Sequence, residues 1–233
     1  MRSAEERREL LKAVYDEARD CVRCPLHRTR TTVVFGSGNA NADLMFIGEA
    51  PGANEDRIGL PFVGQAGKLL EKLLGEIGME RNDVFIANTL KCRPPDNRDP
   101  HPNEIETCQV YLRQQVELIE PSVICTLGNF ATKLLRDDTT GISRVHGQEE
   151  VRVIGSRAVR LYPLYHPAAA LYTPSTLETL RSDFHRIPQL LARGAPGQPE
   201  PLEEIPEPEP LVPDAPPAPA APASDPAAQL GLF

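Results

Sequence analysis

Residues 43–56 read DLMFIGEAPGANED, and this stretch decides the fold. Leu44-Met45-Phe46-Ile47 is an unbroken apolar run of the length expected for a strand buried on both faces, and it breaks at Gly48-Glu49-Ala50-Pro51-Gly52. A buried strand that runs directly into a Gly- and Pro-punctuated loop is the mark of an open α/β sheet. In such sheets, the loops past the carboxyl ends of the strands present backbone amides and a few polar side chains to a ligand. Spacing alone leaves an ordinary βα turn as the other reading, so the neighbouring segments carry the weight.

Three more segments have the same form. Residues 83–90, DVFIANTL, predict a strand ending near Asn88, and residues 122–127, SVICTL, predict one that runs into Gly128-Asn129. Residues 161–165 predict the last strand, which meets His166, and residues 151–163 alternate around Gly155-Ser156 as a hairpin. Glu49, Asn88 and His166 therefore each follow or end a strand, and a parallel sheet would gather them on one rim around a small planar group. Phe62 stands in the loop Pro61-Phe62-Val63-Gly64, outside any periodic pattern, where an aromatic ring can stack on a flat heterocycle or anchor the loop in the core. Helical spacing is expected over residues 4–19, 65–77, 130–135 and 174–191, with Leu69, Leu70, Leu73 and Leu74 on one face of the second. Lys91, Arg93 and Arg98 flank Pro94-Pro95 in a basic loop suited to phosphates.

Cys21 and Cys24 form a C-x2-C pair stiffened by Pro25, a chelating turn. Cys92 and Cys108, the latter on a helix expected to begin near Pro102, are the proposed partners. Four thiolates from two distant segments suit a tetrahedral zinc or a [4Fe–4S] cluster, and ligand count does not choose between them. Cys125 lies inside an apolar run and reads as a buried strand residue. Cysteines used this way, with no secretory h-region and no apolar run of membrane-spanning length, lead to the expectation of a cytoplasmic chain without membrane contact.

The 233 residues carry a net charge of −8, unevenly placed. Seven acids and no Lys or Arg follow Ala195, so residues 1–194 are close to neutral and the acidic balance does not exclude nucleic-acid binding there. Twelve of the 24 prolines fall in residues 196–226. Residues 195–228 are accordingly expected to be a disordered or polyproline linker reaching up to about 100 Å at roughly 3.1 Å per residue. It ends in the apolar peptide Gln229-Leu230-Gly231-Leu232-Phe233, which reads as a docking peptide.

In order along the chain stand Cys-Val-Arg-Cys-Pro-Leu at 21–26, GEAPGANED at 48–56, PFVGQAG at 61–67, NTLKCRPP at 88–95, NRDP at 97–100 and HPAAAL at 166–171. Over residues 17–190 this series resembles family 4 of the uracil-DNA glycosylase superfamily, the iron–sulfur uracil-DNA glycosylases. The resemblance implies a three-layer αβα sandwich around a four-stranded parallel sheet, with a [4Fe–4S] cluster on Cys21, Cys24, Cys92 and Cys108. It also implies a monofunctional enzyme acting as a monomer on uracil in DNA. The implied substrate-binding set is Gly48, Ala50, Glu55, Phe62, Asn88 and His166. Within it Phe62 stacks on uracil, Asn88 reads its O4/N3 edge, Glu55 sits against C5 and His166 faces O2. Glu49 would position the water, and Leu171 and Tyr172 would form the wedge that fills the vacated stack. The alternative is a non-turnover or covalently trapping binder; in the trapping branch a histidine in the loop that here carries His101 attacks the sugar, but residues 96–101 do not reproduce that branch's longer basic insertion ending Arg-Arg-Ile-His. Gln229, Leu230, Leu232 and Phe233 resemble the peptide by which bacterial repair proteins dock on the β sliding clamp.

Overall fold

Residues 44–47 are buried completely, and their side chains alternate between two separate cores. Met45 and Ile47 join one core, with Phe85, Ala87, Ile124, Val159 and Leu161. Leu44 and Phe46 join the other, with Ile86, Val123, Cys125, Tyr162 and Leu164. That period of two across four strands means a sheet covered on both faces.

The computed structural model describes residues 2–200. In chain order the main elements are α1 (Ala4–Arg19), β1 (Ser37–Gly38), β2 (Leu44–Gly48), α2 (Ala53–Ile58), α3 (Gln65–Glu76), β3 (Phe85–Asn88) and α4 (Pro102–Ile119). There follow β4 (Val123–Leu127), α5 (Asn129–Arg136), α6 (Ile142–Val145), β5 (Glu150–Ile154), β6 (Arg157–Leu164), α7 (Pro167–Ala170), α8 (Pro174–Phe184) and α9 (Ile187–Ala192). The sheet order is β1-β3-β2-β4-β6-β5. The central four strands are mutually parallel, and β1 and β5 pair antiparallel at the two edges. Residues from α1, α4 and α5 fill the first core, and those from α3, α7, α8 and α9 the second.

The sheet therefore has six strands and is mixed, where four parallel strands were expected. The strand expected over 161–165 starts earlier, at Arg157, because the hairpin's second arm continues without a break into it, so β5 joins the sheet as an edge. β1 has two residues, too short to leave an apolar period in the sequence. The helix expected over 174–191 is two, α8 and α9, parted at His185-Arg186. Pro188 has no N–H to donate and its ring clashes with the carbonyl four residues back, so one helix cannot run through it.

α1 starts on a capping box, with Glu6 N–H donating to Ser3 Oγ at 3.2 Å and Ser3 N–H to Glu6 Oε2 at 2.7 Å. It is tied to the end of α4 by Arg7, whose Nη1 donates to the Ile119 carbonyl at 2.6 Å and whose Nη2 pairs with Glu120 at 2.9 Å. Among the described residues no helix is long and apolar enough to cross a membrane. The Pro-rich linker and the docking peptide at residues 229–233 lie outside the described residues, apart from the linker's first six positions.

Candidate active site

The parallel register brings the carboxyl ends of the central strands level. Gly48 pairs with Asn88 across β2 and β3, and Leu127 pairs with Leu164 across β4 and β6. The zipper runs on past the strands: Thr89 N–H donates to the Gly48 carbonyl at 2.9 Å, Leu90 N–H to the Glu49 carbonyl at 3.0 Å, and Gly128 N–H to the Leu164 carbonyl at 2.9 Å. Glu49, Asn88 and His166 consequently stand along one edge of one sheet.

Gly48 is the floor. A Cβ there would collide with Asn88 Oδ1 and stand 2.9 Å from Phe62 Cζ, so only glycine lets an amide and an aromatic ring close in together on the strand end, the two sides of one slot. Asn88 is 2% exposed, yet its side-chain amide makes no hydrogen bond among the described residues. The Phe62 ring continues the wall to His166, with centroids 5.6 Å apart and planes 27° from parallel. Glu55 Oε1 accepts from Val63 N–H at 3.0 Å and Gly64 N–H at 3.1 Å and so grips the loop that carries Phe62.

Geometry fixes the tautomer of His166. Ala168 N–H donates to Nδ1 at 3.1 Å, so Nδ1 is the acceptor and the ring proton resides on Nε2. Part of the ring faces the groove, but most of it is packed, and this burial lowers its pKa to about 4 against a weak opposing pull from Glu55. At neutral pH the side chain is an uncharged N–H donor.

Outside the slot lies a groove of about 1110 Å³ that Glu49 and His166 both face, with Gly128, Asn129, Phe130 and Lys133 of the β4–α5 junction on its far side. Burial raises the Glu49 pKa, and the nearby Asp99 raises it further. Asp99 lines the same groove and was passed over in the sequence, where it is one acid in a loop rich in Pro and Asn. Leu171 and Tyr172, just past α7, are exposed, Tyr172 by 88%.

One of the three cations of the basic loop lies inside the molecule. Lys91 is buried, donating to the Asn88 carbonyl at 2.8 Å and to Gln115 Oε1 at 2.6 Å, and burial pulls its pKa down to about 8. Arg98 is forked onto the buried Glu104 at 2.6 and 2.9 Å, and it and Arg93 both remain partly exposed. Local charge in a sequence does not reveal depth, and Lys91 serves as a prop beneath the strand end that carries Asn88.

Cys21, Cys24, Cys92 and Cys108 line one small pocket together with Arg30, Lys91 and Tyr111. Arg30 Nη1 donates to Cys92 Sγ and Lys91 N–H to Cys108 Sγ, each at 3.3 Å. Burial raises the pKa of Cys24 and Cys92, and takes that of Cys108 to about 11. No group of three or more His, Cys, Asp or Glu among the described residues forms a ready-made metal site. The chemistry of the set still suits a soft metal centre, being all sulfur, enclosed and supplied with N–H donors to two of the sulfurs. Cys125 is fully buried in β4.

A model of the uracil DNA glycosylase superfamily matches residues 35–187, which contain the whole slot. The chain belongs to that superfamily. Among its relatives, a type-4 uracil-DNA glycosylase of Archaeoglobus fulgidus is 47% identical over 193 residues, covering 81% of this chain and 96% of the relative. One from Sulfurisphaera tokodaii is 44% identical over 185 residues, 77% of this chain and 84% of the relative. One from Thermotoga maritima is 43% identical over 166 residues, 71% and 85%. Within the superfamily's fold, the slot and the groove are therefore this chain's candidate active site.

The state of His166 has a consequence for stability. Unfolded, it takes a proton near pH 6.5; folded, it refuses one until about pH 4, so the unfolded chain binds more protons in between and stability falls as pH falls through that window. Melting temperatures of the wild type and His166→Gln measured between these limits check this: the wild type should lose more on acidification, and equal slopes would contradict it.

Proposed function

We propose that the chain hydrolyses the N-glycosidic bond of uracil in DNA, leaving an abasic site and opening base excision repair. The carrying observation is the convergence at Gly48 of the Phe62 ring, the Asn88 amide and a neutral N–H donor at His166. Identity of 40–47% to five type-4 uracil-DNA glycosylases over most of the chain supports the same reading.

The target nucleotide must leave the stack, because its anomeric carbon is out of reach inside a duplex. Leu171 and Tyr172 occupy the space it vacates, which their exposure permits. Uracil enters the slot past Gly48 and Ala50 and stacks on Phe62. The Asn88 amide offers both a donor and an acceptor to the O4/N3 edge. Cytosine presents the reversed pattern there and is refused, while the carboxylate of Glu55 beside C5 excludes the methyl group of thymine.

Water attacks C1′ as the C1′–N1 bond breaks, and the electron pair of that bond passes to the uracil ring. Charge develops at O2, where Nε2–H of His166 donates; a neutral donor fixed in advance stabilises that charge with little reorganisation. Glu49 holds the water and takes its proton, and its raised pKa makes it a stronger base.

Cys21, Cys24, Cys92 and Cys108 would hold a [4Fe–4S] cluster, which supplies a redox-passive brace between the end of α1 and the loop after β3. Cys108→Ser should then remove the brown colour and visible absorbance of protein purified under mild conditions, whereas a colourless wild type would exclude the cluster. The terminal Gln229, Leu230, Leu232 and Phe233 dock on the bacterial β sliding clamp, a reading supported by their sequence alone. Deleting residues 229–233 should abolish clamp binding and leave oligonucleotide cleavage intact; retained binding would contradict it.

Release of free uracil from a uracil-containing oligonucleotide over many turnovers tests the reaction itself. Gly48→Ala fills the slot and should lower kcat/KM by about 10²-fold, the scale of an ångström-sized misplacement at a reacting centre. No release by the wild type, or a denaturation-resistant protein–DNA adduct in place of release, would overturn hydrolysis.

A further inference from the structure

Phe62 is the one bulky aromatic among the described residues with a left-handed backbone, at φ 53°. A residue of that size pays a steric penalty there and stays only where its surroundings over-determine it. Two devices do so beyond the grip of Glu55. Gly67, in the first turn of α3, lies so close that a Cβ on it would overlap the Phe62 carbonyl. The other is Arg81, which stands on a short 3-10 turn, Arg81–Asp83, leading into β3.

Its guanidinium takes carbonyls of the loop whose N–H groups Glu55 holds. Nη1 donates to the Phe62 carbonyl at 3.1 Å and Nη2 to the Pro61 carbonyl. The same head is held from behind by Ser37 Oγ on β1 at 3.3 Å and by Glu71 on α3 at 3.3 Å. Glu55 thus takes the two N–H groups that follow Phe62, and Arg81 takes the carbonyls at and before it. Only a planar fork matches two successive carbonyls while two more partners fix its plane.

We propose that Arg81 is a positioning residue for uracil excision: by clamping Pro61 and Phe62 it holds the Phe62 ring over Gly48 and beside His166, without itself touching the base. The proposal rests on the stacking role given to Phe62 above. It assigns work in the reaction to a residue joined to β1 and α3, and predicts that Arg81 acts through Phe62 alone.

A double-mutant cycle tests it, reading uracil release from a single-stranded oligonucleotide by the wild type, Arg81→Gln, Arg81→Lys, Phe62→Ala and Arg81→Gln combined with Phe62→Ala. Arg81→Gln should cost about 10²-fold in kcat/KM, mostly in kcat, as an ångström-scale displacement of the ring does. Arg81→Lys, which keeps the charge but not the fork, should recover about tenfold of that loss. In the Phe62→Ala background Arg81→Gln should change the rate by less than about twofold, since the two residues act as one unit. Equal losses in both backgrounds would overturn the proposal, as would full recovery by lysine. Should Arg81→Gln fail to fold, the cycle run with Arg81→Lys decides in the same way. A wild type that releases no uracil would remove the reaction itself, whereas wild-type release with uncoupled variants would remove only the role of Arg81.

Discussion

The pairing of β2 with a parallel neighbour on each side is what the site depends on. Because β2 is buried on both faces and lies between β3 and β4, its register is pinned by two cores at once, and a slip of one residue would turn every side chain to the wrong face. That double constraint sets Gly48 opposite Asn88. Extended through β4 to β6, it sets the height at which His166 leaves the sheet. The slot is therefore a property of the sheet edge, and loops enter it only as walls.

What fills those walls is held by partners outside the slot. His166 keeps its proton on Nε2 because the first turn of α7 supplies an N–H to its other nitrogen. Asn88 rests on a carbonyl propped by the buried Lys91. Phe62 stays in a costly backbone conformation because Glu55, Arg81 and the bare backbone of Gly67 surround it. On the proposed reading, donors fixed in this way are aimed at charge that appears only as the bond breaks, which is where fixed donors contribute most.

Much of this was legible in the sequence. The runs at 44–47, 83–90 and 122–127 gave the central strands, since four or more apolar residues ended by Gly or Asn have few other solutions. Glu49, Asn88 and His166 followed from their places at the ends of strands. The edge strands were harder: β1 is too short to show a period, and β5 was read as half of a hairpin without its place in the sheet. The break between α8 and α9 was written in Pro188 and overlooked. Lys91 was misread because a charge in a loop-like segment carries no sign of depth, and Arg81 and Asp99 were missed because their partners lie many residues away in sequence. Glu55, expected to contact the base, binds the loop backbone at Val63 and Gly64.

The central claim is that one slot, bounded by Gly48, Phe62, Asn88 and His166, receives the base. A crystal structure of the protein with an abasic oligonucleotide and free uracil tests it most directly. The account predicts uracil stacked on the Phe62 ring, with the Asn88 amide and Nε2 of His166 within hydrogen-bonding distance of opposite edges of the base. Uracil bound elsewhere, or with His166 turned so that Nδ1 faces the base, would contradict it.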